Sequence, residues 1–373
     1  MSSNAKVLPF RSRPAPSWLS PREAQLAARE FLGTPAEERS SDVRDRFLGS
    51  PDVMMALCVL LRKSRDLAPA AVLDEAVQIY RWVSRPDCDL GLFDERDYFL
   101  GETALIAGGV CRQLGKREEA FLWLDRAEAG FRHTMNPAPG LANVAYARLA
   151  LRFEMGRYAD VLELAPPLEL SFKKLRMSIE AAKCRLLFAT TLKVTGEHNK
   201  ALELLGSLPD DISLEGEPLL RARVLAEVAD LHQLSGHLPL AMGAFQKALL
   251  LLPSGEISST AADLKLYVAA AYKAIGSLEN ARDAFRAALK DYAQLGMRSL
   301  VAYAHLLVAE TLLEMKRDRE AEWEILAALP AIDEMKMVPE GFAAIALLRE
   351  SVARRRTNVP ALQELRAHLE SCT

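Results

Sequence analysis

Aromatic residues make up only 7% of this 373-residue chain, and it has just five cysteines. Cys58, Cys88, Cys111, Cys184 and Cys372 are odd in number and widely scattered, with no CxxC pair. That pattern excludes a disulfide framework and fits reduced thiols in a cytoplasmic protein. Most lie in apolar runs such as Ala56–Val59, where cysteine behaves as a small core residue. No stretch approaches the roughly 20 uncharged apolar residues of a membrane span, so no membrane partner is expected. Charge of either sign is not in excess either. Lys plus Arg number 47 and Asp plus Glu 50, a net charge of -3. The chain therefore lacks the basic face that nucleic acid or an anionic membrane surface would require. Val7–Phe10 is too short for the apolar region of a signal peptide, and Arg11 and Arg13 follow it. No Asn-x-Ser/Thr acceptor occurs.

Signatures of catalysis are missing as well. Gly109–Lys116 has five residues between its glycines where a phosphate loop has four, and Arg117 stands where Ser or Thr belongs. The segment is also a helix C-terminus, whose dipole repels phosphate. His133, His198, His232, His237, His305 and His368 form no metal-ligand spacing. His232 and His237 straddle a turn and are not expected to share a helix face. Glu118–Glu119 and Asp210–Asp211 read as solvated turn residues, since neighbours in sequence face apart on a helix. No Gly-x-Ser-x-Gly elbow is present. Neither an enzyme nor a cofactor is expected.

What the chain does contain is a repeat. A helix end, a glycine, a few polar residues and an alanine on a new helix recur around Gly115, Gly156, Gly196, Gly236 and Gly276. In a sixth copy Lys316 replaces the glycine. The spacings are 41, 40, 40, 40 and 40 residues. Glycine ends a helix by taking the left-handed conformation, and the polar residues cap the next one. The apolar set Leu264, Val268, Ala271, Tyr272 and Ile275 before Gly276 has helical period. So does the set Ala281, Phe285, Ala288, Leu289 and Tyr292 after it. No segment alternates with period two, so no strands are expected.

At these residues the chain resembles the tetratricopeptide repeat family. Ala241, Phe245, Ala248 and Pro253 match the family's second-helix pattern, as do Ala281, Phe285 and Ala288. Small residues stand seven before each turn, at Gly108, Ala189, Ala229, Ala269 and Ala309; Leu149 departs from the pattern. The family's usual period is 34, and its first-helix tryptophan is absent here, so the array looks like the long-repeat type of some bacterial regulatory proteins. The resemblance implies an all-α, right-handed α-solenoid of stacked helix hairpins. The expected organisation is a disordered tail at 1–17, an N-terminal helical capping module at 18–92, six hairpins at 93–335 and C-terminal capping helices at 336–373.

Within the capping module, Ser20–Glu23 and Thr34–Glu37 each read as a cap residue, proline and a glutamate, the start of a helix. Ser50–Asp52 starts a third and Pro69 a fourth. The third is apolar at its centre, Met54–Leu61, which speaks for core rather than for DNA recognition. Pro339–Arg355 and Pro360–Glu370 read as the closing helices. Trp123 and Trp323 stand on second helices, positions that suit interhelix packing or an exposed anchor.

In the family the first helices line the concave face. Counting back 13, 10, 6, 3 and 2 from each turn places Arg112, Asn143, Tyr146, Lys183, Lys193, Arg223, Asp230, Gln233 and Lys273 there. Four of them, Lys183, Lys193, Arg223 and Lys273, could form a basic strip for an acidic or C-terminal peptide segment. The same residues also suit an ordinary solvated face. Two functions fit: a scaffold or adaptor for another protein or peptide, and a regulator that senses a peptide or small ligand.

Overall fold

The computed structural model describes residues 19–333, apart from 36–37, 65–67, 87, 89, 91–94, 207, 211–215 and 253–256, together with Gln363 and Arg366. The tail at 1–17, Trp18 and, save for those last two residues, the closing helices lie outside the described residues. Sixteen α-helices and one short 3-10 turn account for nearly all of what is described, with no strand among the described residues. Two compact units comprise residues 1–65 with 69–141, and 66–68 with 142–373.

The first unit holds α1 (Pro21–Gly33), α2 (Ser41–Leu48), α3 (Pro51–Ser64), α4 (Pro69–Val83), α5 (Glu95–Gln113), α6 (Arg117–Arg132) and the start of α7 (Pro137–Glu154). Ser20 caps α1 in a reciprocal box with Glu23. Ala36 and Glu37, on which the expected helix start after Thr34 rests, lie outside the described residues. Thr34 itself closes α1, its hydroxyl and backbone N–H both donating to Glu30 O. Arg39, buried, donates from Nε to Thr34 O and from Nη2 to Leu32 O, pairs with Glu75 and stacks 4.4 Å from the Phe31 ring. With the carbonyls at the end of α1 so engaged, α2 begins only after Ser40. In α3, Val53, Met54, Leu57, Cys58 and Leu61 are buried, as expected of a core helix. Trp123 packs edge-on against Tyr80, with ring centroids 5.2 Å apart.

The second unit continues α7 and adds α8 (Tyr158–Lys174), α9 (Ser178–Val194), α10 (His198–Leu205), α11 (Pro218–Leu234), α12 (Leu238–Leu250), α13 (Ser259–Ala274), α14 (Leu278–Gln294), α15 (Arg298–Glu314) and α16 (Asp318–Asp333). Antiparallel pairs α9–α10, α11–α12, α13–α14 and α15–α16 are hairpins, and α11 also packs on both α9 and α13. This is the stacking of a helical-repeat solenoid. Its core is made of the small residues that the repeat placed on facing helices. Ala189, Ala229, Ala269 and Ala309 on first helices, and Ala201, Ala241, Ala281 and Ala321 on second helices, are all buried.

The turn chemistry follows from the backbone. Gly115, Gly156, Gly196, Gly236 and Gly276 have φ between 72° and 86°. At each, the glycine N–H returns to the carbonyl three residues back and the next N–H to the carbonyl five back, as Gly196 to Lys193 and Glu197 to Leu192. These paired bonds satisfy helix-end carbonyls. Lys316 keeps the geometry without glycine, at φ 60°. The links between hairpins use it too, at Arg176 (φ 59°) and Gly296 (φ 69°). From Gly156 to Gly196 and from Gly276 to Lys316 the left-handed turns thus recur every 20 residues, half of the period visible in the sequence.

Candidate functional site

The predicted binding residues fall on first helices. Arg112, half-buried on α5, belongs to the first unit. On the same helix the deeply buried Glu102 pairs with Arg62. Burial raises the Glu102 carboxyl above its ordinary value, although Arg62 and Tyr98 pull the other way.

In the second unit, Asn143 and Tyr146 stand half-buried on α7. Tyr146 packs into the hairpin core, its ring centroid 6.5 Å from that of Phe172. Lys183 on α9 is half-buried and Arg223 on α11 exposed. Neither makes an ion pair among the described residues. Lys193 on α9 is different. Its Nζ lies 2.6 Å from Asp230 Oδ2 and 2.8 Å from Glu227 Oε1, both on α11. Burial alone would lower its pKa; the two carboxylates more than reverse that and hold the ammonium above its ordinary range. Lys273 on α13 repeats the arrangement, 2.6 Å from Glu310 Oε1 and 3.1 Å from Glu314 Oε1 on α15. Glu310 also receives Gln363 and Arg366. Gln233 is half-buried on α11.

Two of the four cations expected in a basic strip are therefore ties between successive first helices. A lysine three before one turn clamps two carboxylates of the next first helix. Two partners per lysine keep the charges satisfied where their side chains are largely shielded from water. On α13 the same count, 13 before Gly276, also gives Asp263, beside which stand two tyrosines that it missed, Tyr267 on α13 and Tyr292 on α14. The buried Tyr292 donates its hydroxyl to Asp263 at 2.6 Å. Tyr267 is pushed up to about 12 by its surroundings and then by Asp263, with Glu227 and Asp230 adding and Lys193 opposing. The site thus offers the Tyr267 phenol, carboxylate acceptors and two cations without ion-pair partners among the described residues, the mixture that fits peptide backbone and side-chain polar groups.

A separate cleft of about 700 Å³ opens on a different face of α9, between α8 and α10. It exists because α10 stops after 8 residues whereas α8 runs for 17. Leu162, Phe188, Leu192 and Leu204 line its apolar part. On its wall Arg185 donates from Nε and Nη2 to Glu169 Oε1, at 2.9 and 2.8 Å, and Lys173 reaches the same oxygen.

The two histidines at the fourth turn do meet. His232 and His237 sit at the two ends of the paired turn bonds, with ring centroids 6.1 Å apart. The left-handed turn folds the chain back so that side chains on either side of it touch, as an apolar pair commonly does there. Burial and then His237 lower the pKa of His232. Among the described residues no group of three or more His, Cys, Asp or Glu could hold a metal, and no helix is long and apolar enough to cross a membrane. Trp323 on α16 is 77% exposed, unlike Trp123.

No family model and no curated protein matches the chain. Solved structures do. A Rap protein complexed with competence and sporulation factor superposes with TM-score 0.56 at 14% identity, over 93% of each chain. NprR in complex with its cognate peptide NprX gives 0.55 at 13%, over 92% of this chain and 96% of that one. The Rap conjugation gene regulator of plasmid pLS20 in complex with the Phr* peptide gives 0.54 at 13%, over 95% of both. At such identities the likeness is one of fold. This chain has the fold of a tetratricopeptide-like helical-repeat protein.

Proposed function

We propose that the chain is a non-enzymatic, cytoplasmic scaffold that binds another protein or a peptide on the face shared by its first helices. The observation that carries this reading is the contrast on α9 and α11. Lys193 is locked between Glu227 and Asp230, whereas Lys183 and Arg223 have no ion pair among the described residues. Groups tied to their own fold serve stability. Charged groups left without an internal partner are available to another molecule. The mixed donors and acceptors around them, Tyr267, Asp263 and Gln233 among them, suit a polar extended segment.

The second reading is a regulator of the long-repeat bacterial type whose array takes up a signalling peptide. The fold likeness favours it, since the three proteins above were each solved with a bound factor or peptide. Both readings use the same face and share one test. Co-purification from the native host should recover a partner with the parent chain and lose it with Lys183→Glu/Arg223→Glu, which leaves the lysine ties intact. A folded double variant that retains every partner would place binding elsewhere.

A further inference from the structure

The first unit contains a cavity of about 450 Å³ where the N-terminal ends of α3, α5 and α7 meet the C-terminal end of α6. Pro51, Met55, Tyr98, Phe99, Phe131 and Pro139 form its apolar and aromatic walls. The charged groups among its described lining are two carboxylates, Asp52 and Glu95. Glu95 Oε2 is buried and has no hydrogen-bond partner among the described residues. Burial raises the pKa of its carboxyl and the charge of Asp52 raises it further. Acids in a first helical turn are common, because each helix N-terminus carries roughly half a positive charge. Half charges offset two full negative ones only in part, and an unpaired carboxylate oxygen out of water calls for a cation.

A cation source lies next to the cavity. The backbone N–H of Leu19 donates to Asp52 Oδ2 at 3.1 Å. The chain thus enters the described structure at the cavity rim. The residues before it carry Lys6, Arg11 and Arg13 and no carboxylate, with Phe10 beside the arginines. Arg13 precedes Leu19 by six residues, a reach of up to about 20 Å. A short tether also gives an effective concentration on the order of millimolar, so a modest intrinsic affinity is enough.

We propose that the segment Phe10–Arg13 is the ligand of this cavity, bound in cis, with an arginine guanidinium on Glu95 and Asp52 and Phe10 against the aromatic wall. The assignment is independent of the binding face in the second unit. It makes the tail an internal occupant that any other ligand of this cavity must displace.

The test uses the full chain carrying Phe10→p-benzoylphenylalanine, irradiated and mapped by mass spectrometry. The expected result is an intrachain cross-link concentrated on α3 and α5, above all at Met55. It should fall several-fold in Glu95→Gln, in Arg11→Ser/Arg13→Ser and in about 0.5 M salt, which screens charge. The tail variant leaves the folded unit untouched, so loss there cannot be blamed on unfolding. Cross-links scattered over the chain, cross-links between two copies, or a yield unchanged in both variants would each overturn the proposal.

Discussion

Where α6 crosses α5, Gly130 lies against Gly101 so closely that a β-carbon on Gly130 would fall 2.6 Å from the Gly101 backbone nitrogen. The same atom would meet Asp97 O at 2.9 Å. Both obstacles are backbone and cannot rotate away. Gly130→Ala should therefore destabilise the first unit at or above the upper end of the ~1–3 kcal/mol typical of overpacking. Gly243, inside α12, has open space around an added β-carbon. Gly243→Ala should raise stability by about 1 kcal/mol through helix propensity. Thermal melts of the two variants should move in opposite directions; movement in the same direction would contradict the packing.

The left-handed turns make a second pair of opposed predictions. Nothing lies within 4 Å of a β-carbon built on Gly196, Gly236 or Gly276. Alanine there should cost only the backbone term, roughly 1 kcal/mol each. Arg176 and Lys316 already bear that strain at φ 59° and 60°. Arg176→Gly and Lys316→Gly should stabilise, by less than about 1 kcal/mol because glycine loses more entropy on folding. Urea midpoints of the five variants test both signs.

These turns mark how far the sequence could be read. Five glycines and their alanines announce the hairpins, because glycine is the residue that a left-handed turn favours. Of the alternate turns only Gly296 carries that signal: Arg176 adopts the conformation with nothing in its residue type to mark it. The counted residues do lie on first helices, but counting positions cannot tell a free lysine from a tied one. Lys193 and Asp230 stand 37 residues apart on different helices, as do Lys273 and Glu310. Superposing repeat copies would reveal the recurrence, a cation three before one turn and an acid six before the next. The contact of Gly101 with Gly130 has no such signal, because it depends on the crossing of two particular helices.

The lysine ties predict unequal costs along the binding face. Lys193→Ala would leave Glu227 and Asp230 facing each other, their side chains only 11% and 25% exposed. The loss should lie between the ~1 kcal/mol of a surface pair and the 3–5 kcal/mol of a broken buried one. Arg223→Ala, at an exposed position, should stay within about 0.5 kcal/mol of the parent. Equal denaturation midpoints for the two variants would refute the distinction.

Acid sensitivity has a defined sign. Burial alone would raise the Glu169 carboxyl, but Lys173 and Arg185 outweigh it and hold the group below its ordinary 4.5. Against the same burial effect, His305 and Arg286 lower Glu324. A depressed folded-state pKa contributes stability that is complete above the unfolded value and lost as pH falls through the folded one. Stability should thus hold above about pH 4.5 and decline below it. Glu169→Gln/Glu324→Gln should flatten that decline when urea midpoints are followed from pH 6 to 3, and an unchanged slope would contradict the assignment.

Binding on the face shared by the first helices, rather than in the cleft between α8 and α10, can be tested directly. The most direct measurement is a binding titration of the captured partner against two folded variants, each compared with the parent chain. One carries Lys183→Glu/Arg223→Glu on the shared face, and the other Lys200→Glu/Glu203→Lys on the cleft. The account predicts at least a tenfold loss of affinity, about 1.4 kcal/mol, for the first and no change for the second. Unchanged affinity in the first variant with loss in the second would contradict it.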